Sequence, residues 1–172
     1  MSVNIRPARV DDVTGMQACN LQNLPENNLL HYYLHHLLTW PSLPYVAEDA
    51  KGRIVGYVIA RIVADNAGAV HGHLRSISVL RPYRRTGLAR KLALQCRKPS
   101  PLPYSPTSDI VRSEEAMRTT YRAAYVVLNV RKTNRGAICL YRDALGFAVH
   151  AIREKHYADG EDAYVMRLSL DL

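Results

Sequence analysis

The most informative stretch of this chain is Ser76-Ile77-Ser78-Val79-Leu80-Arg81-Pro82-Tyr83-Arg84-Arg85-Thr86-Gly87-Leu88-Ala89. Alternating residues at 76–79 predict a strand, and residues 90–95 predict a helix after a basic turn. The first amides of a helix have no intrahelical acceptor and carry the positive end of its dipole, so they bind anionic oxygens. Gly87 allows close approach of the backbone, and Arg84 and Arg85 add charge. The stretch predicts a pyrophosphate site, although an ordinary basic helix start would show the same short pattern.

Size and composition restrict the architecture. The chain has 172 residues, of which 48% are hydrophobic, enough for one well-buried core and short for two. We therefore expect a single domain over residues 1–172. The start, residues 1–6, has no apolar signal region, and no later run approaches the roughly 18 residues of a membrane helix. We expect no membrane association and a cytoplasmic or nuclear location.

Charge and cysteine content exclude further classes. The net charge of +8 invites nucleic-acid binding, but the basic residues are scattered except in 81–91, where an anionic cofactor explains them. We expect no sequence-specific nucleic acid, although the charge would suit a ribosomal RNA surface. Cys19, Cys96 and Cys139 form no C-x-x-C pair, which argues for free thiols. His71 and His73 lack a third partner at metal spacing, so we interpret them as strand-edge residues and expect no metal.

Helical and strand periods alternate along the chain. Helices are predicted at about 11–19, 29–38, from Gly87 to about Gln95, and 134–145, the last ended by Gly146. A loop is predicted at 22–28. Strands are predicted at about 44–48, 54–62, 73–79, 124–130, 147–155 and 163–170, with a hairpin turn at Asp49-Ala50-Lys51-Gly52. This order predicts an α/β fold with a mixed, mostly antiparallel sheet and helices on both faces.

One segment interrupts the pattern. Pro99, Pro101, Pro103 and Pro106 fall within eight positions, and each proline costs a helix interior about 3 kcal/mol. The helix after Gly87 must therefore stop near Gln95. We interpret residues of about 96–112 as a Pro/Ser-rich insertion, either a disordered surface loop or translated intron from a faulty gene model.

Eight segments, in this order and spacing, resemble the GNAT-fold N-terminal acetyltransferases and, within them, the catalytic subunits of the NatA complex. They are LPENN (24–28), TWPSLPYVAED (39–49), GRIVGYV (52–58), HGHLRSISV (71–79), YRRTGLA (83–89), NVRKTNRGA (129–137), LYRDALGF (140–147) and HYADGEDAY (156–164). The resemblance implies a GNAT fold and acetyl transfer from acetyl-coenzyme A to protein α-amino groups. It further implies nascent polypeptides that begin with Ser, Ala, Thr or Gly after methionine removal, the ribosome, and a helical-repeat auxiliary subunit as partners.

The resemblance also implies site residues. Those assigned to the cofactor are Ile77, Ser78 and Val79, whose backbone would polarise the thioester, with Arg84, Arg85, Thr86, Gly87, Leu88, Ala89, Asn134 and Tyr141. Those assigned to the substrate are Leu24, Pro25, Glu26, Arg131 and Tyr157. The catalytic roles go to Glu26, as base or ammonium-binding group, to Tyr141, whose phenol would protonate the leaving thiolate, and to Tyr157, which would clamp the substrate backbone.

The α-amine is an easier nucleophile than a lysine. Its pKa of about 7.7 to 8.0 leaves roughly a tenth neutral at pH 7, against fewer than about one in a thousand for lysine near 10.4. A modest base such as Glu26 is therefore sufficient.

Four positions depart from the family pattern, which commonly has tyrosine, threonine, histidine and tyrosine at Asn28, Arg75, Asn129 and His156. Two alternatives follow. The chain is an inactive scaffold that binds acetyl-coenzyme A or the auxiliary subunit, or it is a GNAT enzyme that acetylates lysine or a small amine.

Overall fold

The computed structural model describes residues 2–65, 69–95 and 123–170. Over these residues the elements are β1 (Val3–Pro7), α1 (Val13–Asn23), α2 (Leu30–Thr39), β2 (Tyr45–Asp49), β3 (Ile54–Ala64), β4 (Val70–Val79), α3 (Leu88–Gln95), β5 (Tyr125–Arg131), α4 (Arg135–Cys139), β6 (Ala148–Arg153) and β7 (Ala163–Ser169). Short 3-10 helices lie at Val10–Asp12 and Arg81–Tyr83, and a π-helical turn at Leu140–Ala144 continues α4. The predicted insertion at 96–112 lies outside the described residues.

The strands form one sheet in the order β1-β2-β3-β4-β5-β7-β6. β4 and β5 pair in parallel, and the other neighbouring strands of this sheet pair antiparallel. The predicted mixed, mostly antiparallel sheet is confirmed. The parallel pair in the middle requires the long connection from β4 to β5, because parallel strands cannot be joined by a tight turn.

Helices pack on both faces of the sheet. In α1, Asn20 donates a hydrogen bond to the Tyr57 hydroxyl at 3.1 Å. In α3, Leu92 lies against Gly56, where an added Cβ would come within 3.2 Å of its Cδ1 atom. Gly56 and Tyr57 are neighbours on β3, and successive residues of a strand point to opposite faces. The two helices therefore cover opposite faces, as predicted. No helix among the described residues is long and apolar enough to span a bilayer.

The predicted β2–β3 hairpin turn is confirmed. The Gly52 amide donates to the Asp49 carbonyl at 3.0 Å, and Gly52 has φ +77, a conformation that glycine adopts without strain. The Asp49 side chain accepts from the amides of Lys51 and Arg53 at 2.9 and 3.0 Å. Residues 49–53 thus specify their own turn.

Two helix and loop boundaries were predicted wrongly. α1 continues past the predicted end near Cys19 to Asn23, so the following loop begins at Leu24 and not at Gln22. Asn23 donates to the Cys19 carbonyl at 2.8 Å and to the Ser78 hydroxyl at 3.1 Å. Asparagine favours helix ends in sequence patterns, but here hydrogen bonds to the helix and to the sheet hold the Asn23 side chain, so the helix continues to this residue.

Strand β1 was not predicted, and the two histidines of β4 were misplaced. β1 is short and pairs with β2 at the sheet edge, where Arg6 binds Asp12 at 2.7 Å and Glu48 at 2.8 Å.

His71 and His73 lie in an interior strand between β3 and β5, so their interpretation as strand-edge residues was wrong. The local sequence predicts neither the order of strands in the sheet nor an ion pair between distant residues such as Arg6 and Glu48.

Candidate active site

Strand β4 separates from β5 at the centre of the sheet. β4 pairs with β3 along its whole length, from Val79 opposite Gly56 to Val70 opposite Ala64. Among the described residues it pairs with β5 at Gly72–Leu74 and not beyond. The part of β4 that carries Ile77 and Val79 therefore splays away from β5. The β5-facing backbone groups of residues 75–79 border a gap in which another molecule can take the place of a strand.

A β-bulge marks the point where the separation starts. Ser76 lies opposite Ile59 and Leu74 lies opposite Ala60, so Arg75 is the extra residue of β4. Bulges bend a strand and re-aim its side chains, and they are common next to active sites. The bulge turns Arg75 into the cavity that opens beside it.

The gap opens into a cavity of about 890 Å³. Its lining includes every residue assigned to the cofactor or the substrate from sequence except Thr86: Leu24, Pro25, Glu26, Ile77, Ser78, Val79, Arg84, Arg85, Gly87, Leu88, Ala89, Arg131, Asn134, Tyr141 and Tyr157. The Thr86 hydroxyl donates to the Tyr83 carbonyl at 2.8 Å. Thr86 therefore holds the turn together, while the remaining predicted residues meet at one cavity.

The turn between β4 and α3 is built to present backbone amides. Arg85 and Gly87 have φ values of +66 and +76, alternating with residues of negative φ. Alternating signs of φ are typical of anion-binding nests, in which successive N–H groups point toward one anion. A Cβ on Gly87 would meet nothing within 4 Å, so glycine is required here for its backbone conformation and not for protein packing.

Arg84 has a bracing role that the sequence did not predict. Its Nε donates to the Val79 carbonyl at 3.0 Å, and its Nη2 donates to Asn23 Oδ1 at 2.7 Å. These bonds tie the turn to the end of β4 and to the last residue of α1. Arg84 therefore fixes the turn in addition to supplying positive charge at the cavity wall.

Asn134 and Tyr141 belong to the helical segment after β5, Asn134 at its start and Tyr141 in its second half. Asn134 is the N-cap of α4, where its Oδ1 accepts from the Ala137 amide at 3.2 Å. Tyr141 lies in the π-helical turn, a feature that often occurs at functional sites. Burial raises the pKa of Tyr141, and the negative charge of ionised Tyr157 would raise it further. At neutral pH Tyr141 is a protonated phenol at the cavity wall.

Arg131 joins the two walls at the other end of the cavity. Its Nη2 and Nε both donate to Glu26 Oε1, at 2.6 and 3.0 Å. Its Nη1 donates to Asp159 and to Glu161, each at 2.7 Å. Glu26 belongs to the loop between α1 and α2, whereas Asp159 and Glu161 belong to the turn between β6 and β7. One guanidinium therefore connects two segments that are 133 residues apart or more in sequence.

Tyr157 packs against the same guanidinium. The Arg131 Cζ atom lies 3.9 Å from the centre of the Tyr157 ring, a cation–π contact. Burial and the nearby charge of Glu26 raise the pKa of Tyr157. Hydrogen bonds from Thr133 and Arg131 lower the pKa of Glu161, so this carboxylate remains ionised. The four side chains Glu26, Arg131, Tyr157 and Glu161 hold one another in place.

Several lining residues were not assigned from sequence. Asn23, Tyr32 and Arg90 line the cavity, as do the four departures Asn28, Arg75, Asn129 and His156. The departures could be noticed only by resemblance. Asn23, Tyr32 and Arg90 lie on helices α1, α2 and α3, and nothing in their local sequence points to a cavity that tertiary packing creates.

The two histidines of β4 pack against neighbouring side chains of the sheet. The His71 ring stacks on Tyr125 with centroids 4.9 Å apart. Burial, together with the positive charges of Arg75 and Arg61, lowers the pKa of His73 to about 3. Within residues 2–65, 69–95 and 123–170, no three metal-binding side chains come together. Cys19 and Cys139 are free thiols, as predicted, and Cys96 lies outside the described residues.

The sequence matches known acetyltransferases. Residues 15–98 match the model of the acetyltransferase (GNAT) family. The chain is 52% identical to the N-terminal acetyltransferase A complex catalytic subunit of Schizosaccharomyces pombe, over 95% of this chain and 84% of that protein. It is 47% identical to the corresponding catalytic subunit of Arabidopsis thaliana, over 98% of this chain and 78% of that protein.

The fold agrees with solved structures of such enzymes. Naa20 of Chaetomium thermophilum, in complex with a bisubstrate analogue, superposes with a TM-score of 0.78 at 28% identity, over 96% of this chain and 86% of that one. A chain of the NatB acetyltransferase complex bound to CoA and MES superposes with a TM-score of 0.77 at 27% identity, over 98% and 99%. The chain therefore belongs to the GNAT family of acetyltransferases and, within it, to the catalytic subunits of N-terminal acetyltransferase A.

Proposed function

We propose that this enzyme transfers the acetyl group of acetyl-coenzyme A to the α-amino group of polypeptides that begin with Ser, Ala, Thr or Gly. One observation carries the proposal: the cavity joins the separated edge of β4 to Arg131, around which three carboxylates and Tyr157 gather. The first can hold an acyl donor and the second can hold an amine. The relatives named above support the choice of amine.

The residues at one end of the cavity fit acetyl-coenzyme A. The Arg85–Gly87 nest and the start of α3 would bind its pyrophosphate. The exposed backbone edge of residues 75–79 would pair with the pantetheine arm, and an amide there would polarise the thioester carbonyl. The cofactor supplies an activated acetyl group with a thiolate leaving group. The protein chain supplies its position and its electrostatic environment.

Glu26 is suited to orient the amine. Both contacts that Arg131 makes with Glu26 fall on Oε1, and the side chain is 46% exposed toward the cavity mouth. A carboxylate has several acceptor positions, so Glu26 can bind the Arg131 guanidinium and still accept a hydrogen bond from an ammonium group. Since about a tenth of α-amines are neutral at pH 7, deprotonation through water is sufficient and Glu26 acts as the positioning group.

Tyr141 is suited to supply a proton. The new bond joins the amine nitrogen to the acetyl carbon, and the carbon–sulfur bond breaks, so the amine loses a proton and the thiolate needs one. Burial keeps the Tyr141 phenol protonated at neutral pH. Its hydroxyl can therefore donate to the departing sulfur and be reprotonated from solvent, a general-acid role.

The test is acetyl transfer to short peptides that begin with Ser or Glu, measured as kcat/KM for the full chain with and without an auxiliary subunit. Transfer to the Ser peptide is expected, with a loss of about 100-fold in Glu26→Gln and in Tyr157→Phe, because both side chains position the substrate. Binding of coenzyme A should persist in both variants, which shows that the fold is intact.

Two controls separate the alternatives. A peptide with a blocked N-terminus and a free lysine should not be acetylated, and its acetylation would identify a lysine acetyltransferase instead. Coenzyme A binding without turnover of any peptide, with or without the partner, would identify an inactive scaffold.

We propose further that the enzyme is a single domain that works with a helical-repeat auxiliary subunit. The relatives are named as catalytic subunits of a complex, which supports such a partner. Leu21, Leu29, Leu30 and Leu38 on and beside α1 and α2 are 41 to 74% exposed, and an exposed apolar surface of this kind suits a partner helix. Action on nascent chains at the ribosome, in the cytoplasm or nucleus, completes the proposal. Co-purification of a tagged chain with salt-sensitive ribosome association tests it.

A further inference from the structure

Arg61 and Arg75 form a cationic patch beside the cavity. Arg61 lies opposite His73 in the β3–β4 register, and Arg75 is the bulge residue two positions farther along β4. Residues directly opposite in an antiparallel pair share a face, so Arg61 and His73 lie on one side of the sheet. The Tyr32 hydroxyl of α2 faces both arginines, and their charges oppose the rise in its pKa that burial causes.

The charge of the cationic patch is not compensated by the protein. In the described part of the chain, no carboxylate forms a salt bridge with Arg61 or Arg75, whereas Arg6 binds two carboxylates and Arg131 binds three. The Nε atom of Arg61 is buried and has no hydrogen-bond partner among these residues. Burial and the charge of Arg75 lower the pKa of Arg61. A buried N–H donor without an acceptor is costly, so the Nε atom of Arg61 gains free energy when an anion approaches it.

The patch lies on the peptide side of the cavity. Arg75 directly precedes Ser76 and Ile77, so it lies at the end of the β4 edge proposed for the cofactor and farthest from the pyrophosphate nest. Arg75, His73 and Tyr32 line the cavity. A peptide whose ammonium group is held near Glu26 continues from that point over this part of the sheet.

We propose that Arg75, with Arg61 behind it, selects peptides that carry a carboxylate side chain directly after their first residue. The inference rests on the proposed function and adds a second-residue preference to it. Arginine binds a carboxylate through two parallel hydrogen bonds. Arg75 is exposed and lines the cavity, so its guanidinium is accessible to a bound peptide. The preference is a property of this chain, since the family pattern has threonine at the position of Arg75.

The experiment compares kcat/KM for two peptides that differ at one position, Ser-Glu-Ser-Ser and Ser-Gln-Ser-Ser, with the full chain. The wild-type enzyme should prefer the Glu peptide about ten-fold. Arg75→Gln should reduce the ratio to about one, and Arg75→Glu should reverse it in favour of Ser-Lys-Ser-Ser. Lys51→Gln, which removes the same charge from the β2–β3 turn outside the cavity lining, should leave the ratio unchanged.

Two results would overturn the inference. A wild-type ratio near one would remove the preference while leaving N-terminal acetylation intact. An Arg75→Gln variant that loses activity equally on both peptides would assign Arg75 a structural role. Failure of the wild-type enzyme on every peptide would reject the proposed function itself, a different outcome. Coenzyme A binding by each variant shows that its fold is retained.

Discussion

The two ends of the cavity are built in different ways. At the end proposed for the cofactor, the β4 edge, the Arg85–Gly87 turn and α3 follow one another within residues 75–95, and backbone groups would do most of the binding. At the end proposed for the peptide, Glu26, Arg75, Arg131 and Tyr157 come from four separate segments, and their side chains would do the binding. The first end is thus formed by residues that are close in sequence, and the second by residues that only the tertiary fold brings together.

This difference explains which parts of an acetyltransferase can vary. A backbone site tolerates side-chain changes as long as its conformation is kept. The peptide end depends on ion pairs between distant segments, so a single substitution there can change substrate choice without changing the cofactor. Asn28, Arg75, Asn129 and His156, the four departures from the family pattern, all lie in the cavity lining.

The largest expected effect comes from removing the residue that joins the two peptide walls. Arg131→Gln leaves Glu26, Asp159 and Glu161 to repel one another, so the loop and the turn should separate. We expect kcat/KM for the Ser peptide to fall about 100-fold, since misplacement of reacting groups by about 1 Å has this effect. The dissociation constant of coenzyme A should not change.

The matched control is Lys132→Gln, one residue along. Lys132 forms an exposed pair with Asp162 at 3.3 Å, and such pairs contribute little. If both variants lose activity equally, or if Arg131→Gln also weakens coenzyme A binding, the two ends are not independent.

The second effect concerns acid stability at the peptide end. The pKa of His73 is about 3 in the folded chain, below its ordinary value of about 6.5, because of burial and the nearby arginines. The unfolded chain therefore takes up a proton that the folded chain does not. The stability contribution is complete above about pH 6.5 and is lost as the pH falls toward 3, with a slope of at most about 1.4 kcal/mol per pH unit.

Urea unfolding at pH 7.5 and pH 5 checks this sign. The wild-type chain should lose up to about 2 kcal/mol more between these values than His73→Gln. Arg75→Gln should show a smaller loss than wild type, because it removes a charge that disfavours protonation of His73. An identical pH dependence in all three proteins would contradict the assignment.

The third effect is confined to the cofactor end. Gly87→Ala places a side chain at φ +76, which costs about 1 to 2 kcal/mol. Coenzyme A binding, measured by calorimetry, should weaken about ten-fold, while the ratio between Glu and Gln peptides stays constant. Gly52→Ala carries a similar cost at φ +77 in the β2–β3 turn and should lower stability without weakening coenzyme A binding.

The smallest effect is the loss of the α4 cap. Asn134→Ala removes the acceptor of the Ala137 amide and should cost about 1 kcal/mol in unfolding free energy. Asn134→Asp should restore most of this stability, because an aspartate caps equally well. If Asn134→Asp is as stable as wild type but binds coenzyme A less tightly, the side-chain amide has the cofactor role predicted for it.

The elements of the proposed cofactor end could be predicted from the sequence because their signals are local. The strand at Ile77 and Val79, the turn with Gly87 and the helix after it lie within twenty residues, and each follows from periodicity or backbone chemistry. At the peptide end only the resemblance supplied Glu26, Arg131 and Tyr157, and it could not supply their contacts. β1, the last turn of α1 and the interior position of His71 and His73 were missed because distant partners stabilise them.

The sequence by itself determined the order of the elements, and its resemblance to a family determined the class of the protein. Hydrophobic periodicity, glycine conformation and helix amides act over a few residues, so they can be read along the chain. Tertiary structure alone decided that one guanidinium joins Glu26 to Asp159 and Glu161, and that Arg61 and Arg75 remain without a carboxylate partner among the described residues. Ion pairing and desolvation depend on distances between segments far apart in sequence, and only the folded chain sets those distances.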